Sequence, residues 1–276
     1  MLQQNDGSIA KIQELERLAL AAIQRIFPCE EELLNHIPTD DMIRYFRTDE
    51  LSSEHPLLFR MAGQSGSGKS SQLTPAVQEA LSGIPYLKIN VGAFAPFHPK
   101  YALWQRTEPD KMRENTNGFA LRALVLFYQY CIRSRINLVL DMTLLEPEID
   151  LYLMALAKHH GYRIYMHVLC VPKKVSDSFI RRRQIQTGRY VKPTSSDYFF
   201  NALAPSLKVL VRADFFEKSD RIWLWTHYQT HPIRQTSFRN KSVPRLLEKY
   251  RRNNRIKDPK PILKAKKYWM KQFGFF

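Results

Sequence analysis

The sequence predicts an α/β fold: a parallel sheet covered by helices, with helical additions at the N- and C-terminal ends. Three observations lead there. Short apolar runs suited to buried strands recur at 57–62, 86–91, 137–142, 163–170 and 221–226. Helical patterns fill the intervals, at about 70–82, 117–135, 147–160, 174–187 and 195–211. The first run opens directly into a Gly-rich turn. Apolar strands separated by helices make a parallel sheet buried on both faces, and such sheets bind ligands beyond the carboxyl ends of their strands.

Charge divides the 276 residues into three parts. The chain carries a formal charge of +16, with 44% hydrophobic and 25% charged residues, which suits a packed core and an anionic partner. Residues 1–58 hold 5 basic and 11 acidic side chains, whereas 234–276 hold 14 basic and 2 acidic. The expected organisation is an acidic helical segment over 1–54, a central domain over 55–233 and a basic tail over 234–276. No run of about 18 uncharged apolar residues exists, so no membrane span is expected. The opening MLQQNDGS lacks the pattern of a secretory signal, and a cytoplasmic location is expected. Cys29, Cys131 and Cys170 form no CxxC pair and are expected to be reduced and buried, with no zinc site.

The acidic front reads as helix. Ile9, Ile12, Leu15, Leu18, Ala22 and Ile26 recur at steps of three and four, with Ser8 as a cap. A second helix starts near Asp40, and Pro28, Pro38 and Pro56 punctuate the segment. Two readings stand: these helices pack on the central domain, or they cover a basic active site.

The central motif follows the first strand. Gly63-Gln64-Ser65-Gly66-Ser67-Gly68-Lys69-Ser70, continued by Ser71, has two glycines separated by four residues and followed by Lys-Ser. This is the phosphate-binding loop of nucleoside triphosphatases and kinases. Glycines let backbone N–H groups approach a phosphate, Lys69 neutralises β- and γ-phosphate oxygens, and the Ser70 hydroxyl ligates Mg²⁺. With a strand before it and a helix after it, the loop implies a P-loop kinase-like domain that binds ATP or GTP with Mg²⁺.

The guanine-reading NKxD motif is absent, and so is a strand ending in paired acids. The run 137–140 leads instead to Asp141-Met142-Thr143, whose single acid can hold the metal's water shell or touch an acceptor. Small-molecule kinases close arginines over the transferred phosphate. Arg182, within the triple Arg181-Arg182-Arg183, and Arg189 are the candidates; a solvated basic helix face is the alternative for each of the triple.

The order of these motifs resembles the zeta toxin family of bacterial small-molecule kinases over roughly residues 55–230. MAGQSGSGKSS is similar to that family's GGQSGAGKTT. The stretch from Lys88-Ile89-Asn90 to His98-Pro99-Lys100-Tyr101 resembles its I-D-x-D-x-F-x-x-x-H-P-x-Y, and Asn137 to Thr143 its N-L-x-I-E-G-T. Gly161-Tyr162, Val171-Pro172 and Arg189 through Pro193-Thr194 match as well, with Thr194 as a helix cap. The resemblance implies transfer of a γ-phosphate to the 3′-hydroxyl of a UDP-activated amino sugar and restraint by a small antitoxin protein. Asn90 and Thr143 would then lie on the substrate side, and Asp141 would replace the family's third-strand Glu.

The second-strand motif departs from the family. Its two acids fall on Asn90 and Gly92, and the second of them is the family's general base. An acid used for sugar binding falls on Val125. Three explanations follow: a different acceptor served by another base, a slow kinase, or a nucleotide-binding regulator that transfers nothing. Asp141 is the first candidate base and His98 the second; a structural hydrogen-bonding role competes for His98.

In the tail, Arg251, Arg252, Arg255, Lys264, Lys266 and Lys267 interleave with Tyr268, Trp269 and Phe273. Such composition serves single-stranded nucleic acid, or a basic helix whose rings dock the terminus. A nucleic-acid-binding or nucleic-acid-modifying protein is therefore the alternative reading of the chain.

Overall fold

Each of the five apolar runs is a strand in the computed structural model, which describes residues 6–35, 37–48, 51–108, 111–144, 146–187, 191, 193–226 and 232–252. They are β1 (Leu57–Ala62), β2 (Leu87–Asn90), β3 (Leu138–Asp141), β4 (Arg163–Leu169) and β5 (Arg221–Trp225). A sixth, β6 (Arg234–Ser237), completes a sheet of order β2-β3-β1-β4-β5-β6. β4 and β5 run parallel with Met166 opposite Ile222, and β6 runs antiparallel to β5 with Thr236 opposite Ile222. The sheet is thus mixed rather than wholly parallel, and the exception lies at the edge, where a short polar strand is tolerated.

The helices are α1 (Asp6–Ile26), α2 (Glu31–Leu34), α3 (Thr39–Phe46), α4 (Thr74–Ala80), α5 (Tyr101–Thr107), α6 (Met112–Arg133), α7 (Pro147–His159), α8 (Lys173–Thr187), α9 (Pro193–Leu210) and α10 (Val243–Arg252). A 3-10 segment, Val91–Phe97, follows β2. Ser8 and Thr194 both fall inside helices rather than at their caps, because α1 starts at Asp6 and α9 at Pro193. Residues 234–252, expected as the start of a tail, form β6 and α10. Residues 253–276, with Arg255 and the aromatic positions, lie outside the described residues. No described helix is long and apolar enough to cross a membrane.

The chain divides into two compact units. One is drawn from Met1–Leu58, Leu87–Leu140 and Glu146–Ile164, the other from Phe59–Tyr86, Asp141–Leu145 and Tyr165–Phe276. In the first unit α1 packs on α7 and α6 and buries Ala19, Ala22 and Ile23. Gly118 of α6 allows the turn after α1 to approach, since a Cβ there would meet the Phe27 carbonyl at 2.6 Å. Phe46, Phe94 and Phe127 form a tilted aromatic cluster with ring centroids 4.8–5.6 Å apart. Tyr162 donates to the Ile136 carbonyl at 2.8 Å, tying the start of β4 to the α6–β3 connection.

In the second unit His167 is fully buried in a stack with Phe59, Trp223 and Trp225, its ring centroid 4.8 Å from that of Trp223. Burial pushes the His167 imidazole down to a pKa of about 3. Phe216 stacks on Phe238 at 3.7 Å, which anchors the chain just past β6. Cys131 and Cys170 are buried free thiols whose pKa burial pushes up, whereas Cys29, expected buried, is only half-buried.

Candidate active site

The phosphate loop takes its shape from three glycines. Gly63, Gly66 and Gly68 have φ of 151°, 71° and 90°, a backbone region that side chains disfavour. A Cβ on Gly66 would meet the Ser176 carbonyl at 2.4 Å, and one on Gly63 would meet Ser67 Oγ at 2.8 Å. The loop is therefore closed on itself and pressed against α8. Gln64, buried, donates from Nε2 to the Val171 carbonyl at 2.5 Å and fixes the loop to the end of β4. Ser65 is buried as well, and the Ser71 hydroxyl donates to the Gly68 carbonyl at 3.1 Å.

After Gly68 the chain enters a wide π-turn, Lys69–Leu73, which continues as α4; regular helix is shorter than the sequence pattern implies. The Lys69 ammonium donates to the carbonyls of Gly63 and Gln64, at 2.8 and 3.2 Å, and so lies across the mouth of the loop. Ser70 Oγ donates to Asp141 Oδ2 at 3.2 Å. Hydroxyl and carboxylate oxygens held together beside a phosphate loop are the donor types that Mg²⁺ prefers. Ser67 Oγ is buried and finds no hydrogen-bond partner among the described residues. A buried hydroxyl left unpaired costs about 1–3 kcal/mol, and a phosphate oxygen in the loop would relieve it. The residues present therefore fit a nucleoside triphosphate and its metal.

Arg60 was not anticipated. It stands in the apolar strand LLFRMA, fully buried, and donates from Nη1 to the carbonyls of Met61 and Met142 at 2.6 and 2.8 Å. Its Nη2 reaches the Thr143 carbonyl at 3.3 Å. One guanidinium thus clamps the segment that follows Asp141, and with it the direction in which that carboxylate leaves β3. The only trace in the sequence is a charge inside a hydrophobic run.

The remaining expected positions are placed as follows. Thr143 is half-buried beside Asp141, held through its backbone by Arg60. Arg181 and Arg182 are exposed on α8, and Arg182 makes no hydrogen bond or ion pair among the described residues. Arg189 lies outside the described residues. In the other unit Asn90 accepts the Ala93 N–H at 3.2 Å and caps the 3-10 segment. Gly92 is exposed, and a Cβ there would sit 3.2 Å from Asn90 Oδ1. Val125 is buried in α6. His98 is buried against Trp104 and Phe119, and its Nδ1 accepts the Lys100 N–H at 3.0 Å. Burial, reinforced by the Lys100 charge, lowers its pKa. No cluster of three or more His, Cys, Asp or Glu suited to a metal occurs among the described residues.

Comparisons with known proteins bear on the family and the fold. The zeta toxin family model matches residues 43–227. No curated protein sequence matches the chain significantly. Among solved structures, one from the PezAT chromosomal toxin-antitoxin system of Streptococcus pneumoniae superposes with a TM-score of 0.67 at 19% identity, covering 89% of this chain and 98% of that one. The AvrRxo1-ORF1:-ORF2 complex gives a TM-score of 0.48 at 14% identity, over 88% of this chain and 83% of that one, too low to weigh further. The phosphate loop, the strand-end Asp141 and a family match across most of the fold lead to one conclusion: the chain belongs to the zeta toxin family, whose members are P-loop kinases.

Proposed function

We propose that the protein transfers the γ-phosphate of ATP or GTP to a hydroxyl of a small molecule, with Asp141 as the acid of the site. The observation that carries this reading is the 3.2 Å contact between Ser70 and Asp141 at the mouth of the loop. The loop N–H groups and Lys69 would hold the β- and γ-phosphates and offset charge that grows on their oxygens during transfer. Mg²⁺, when bound through Ser70 and Asp141, would draw further charge from the same oxygens. Asp141 would also accept the proton released as the acceptor oxygen bonds to phosphorus and the bridge to the β-phosphate breaks. Arg60, by holding the Met142 and Thr143 carbonyls, would fix the backbone that carries this carboxylate.

The acceptor follows from what the second strand lacks. Asn90 and Gly92 carry no carboxylate, and His98 spends its Nδ1 on Lys100 N–H. This favours an acceptor other than, or bound differently from, the UDP-N-acetylglucosamine of the family pattern. The family also suggests growth inhibition restrained by an antitoxin partner, and the pneumococcal structure comes from a toxin-antitoxin system. The test is incubation with γ-labelled ATP or GTP and a cell extract. Label moves into an acid-soluble product with the wild type and not with Lys69→Ala. Equal labelling in the two, or none, overturns the reading.

A further inference from the structure

α10 has two faces. Val243, Leu247 and Arg251 recur at steps of four and are buried. Arg251 donates to the Phe200 carbonyl and lies 3.4 Å over the Phe200 ring, so this cation fastens α10 to α9 and faces no solvent partner. The adjoining face opens on a cleft of about 560 Å³ between α9 and α10. Its cations are Lys208 from α9 and Arg245, Lys249 and Arg252 from α10, all exposed. Its one carboxylate, Glu248, is bound by Arg251 at 2.5 Å. No carboxylate among the described residues pairs with any of the four cations.

We propose that this cleft binds the phosphate backbone of a single-stranded nucleic acid. Arg245, Lys249 and Arg252 succeed one another along one helix at about 6 and 4.5 Å of axial rise, a row of charges that can follow a chain of phosphates. The floor is small, made of Ala204, Pro205 and Pro244. It offers none of the deep apolar pockets that anchor a partner helix. The sequence after Arg252 adds seven further Lys and Arg, with Tyr268, Trp269, Phe273, Phe275 and Phe276. Charge for phosphates and rings for bases are the two requirements of single-strand binding. The cleft is separate from the phosphate loop in sequence and chemistry, so this inference does not depend on phosphoryl transfer.

The test is fluorescence anisotropy of the full chain with a labelled RNA of about 20 nucleotides, titrated between about 50 and 200 mM salt. Each phosphate contact contributes about 0.7 to the slope of log affinity against log salt, so the quadruple variant K208Q/R245Q/K249Q/R252Q flattens the slope by about 3. The double variant R245Q/K249Q, confined to two exposed side chains, flattens it by about half as much. Lys69→Ala retains wild-type RNA binding, which keeps failure here distinct from failure of the kinase reading. An unchanged slope in both cleft variants overturns the proposal. So does a polyglutamate chain of matching length that binds as tightly and loses as much in the quadruple variant, since the partner would then be an acidic protein.

Discussion

The phosphate loop and the segment Asn90–His98 use polar residues in opposite ways. At the phosphate loop, polar groups gather around the space the loop encloses: Lys69 rests on two carbonyls, Ser70 on Asp141, and the buried Ser67 hydroxyl has no hydrogen-bond partner among the described residues. Along Asn90–His98, the positions that the motif resemblance led one to expect on the acceptor side serve local structure. Asn90 caps a turn, Gly92 carries no side chain and His98 is sealed among rings. Phosphate binding needs a backbone shape that few sequences provide, whereas acceptor recognition needs only side chains and can be rewritten one residue at a time.

The comparison can be broken most severely at Asp141. Asp141→Asn keeps the shape and removes the proposed base, and should lower transfer by about 10²–10⁴-fold. A loss below tenfold, measured as single-turnover rate, would place the base elsewhere and return weight to the acceptor side. Arg60 should come next. Arg60→Met frees the segment after Asp141, and losses of partners that orient metal-holding groups typically run to about 10–100-fold. The Mg²⁺ concentration for half-maximal transfer should rise; a lowered melting temperature with an unchanged Mg²⁺ requirement would reduce Arg60 to packing.

His98→Gln sharpens the contrast from the other side. Stability should fall by about 1–3 kcal/mol through the lost contacts of a buried ring, while transfer stays within about twofold. A collapse of transfer in a folded variant would make His98 the base. The effect farthest from the phosphate chemistry is a pH dependence seated in the aromatic stack. His167 has a folded pKa pushed down to about 3 against 6.5 for a free imidazole, so the unfolded chain binds the proton first. Its contribution is whole above pH 6.5 and declines as the pH falls toward 3, at about 1.4 kcal/mol per pH unit. His167→Phe should make the fall of unfolding free energy with acid shallower by that increment, measured by denaturant titration at several pH values.

Strands β1 to β5 were legible within a residue or two because each is a compact apolar run between turns. β6 was not, since Arg234–Ser237 is polar and owes its pairing to β5, and the strand pattern 86–91 runs one residue into the 3-10 segment Val91–Phe97, which has no periodicity of its own. The phosphate loop was legible because its glycine spacing encodes a backbone shape. Arg60 was hidden because the carbonyls that justify it, at Met142 and Thr143, lie about eighty residues away. The basic tail divided in a way composition alone does not reveal: Arg251 went to the interior, while Arg245, Lys249 and Arg252 remained outside.

A donor half retained beside an acceptor half rewritten is tested most directly by offering the protein labelled nucleotide with two acceptor sources, pure UDP-N-acetylglucosamine and a whole small-molecule extract. Label should enter an extract compound in a manner lost in Lys69→Ala, with UDP-N-acetylglucosamine a poor acceptor. Rapid labelling of UDP-N-acetylglucosamine would contradict the rewriting, and no difference between wild type and Lys69→Ala in either arm would contradict the donor half itself.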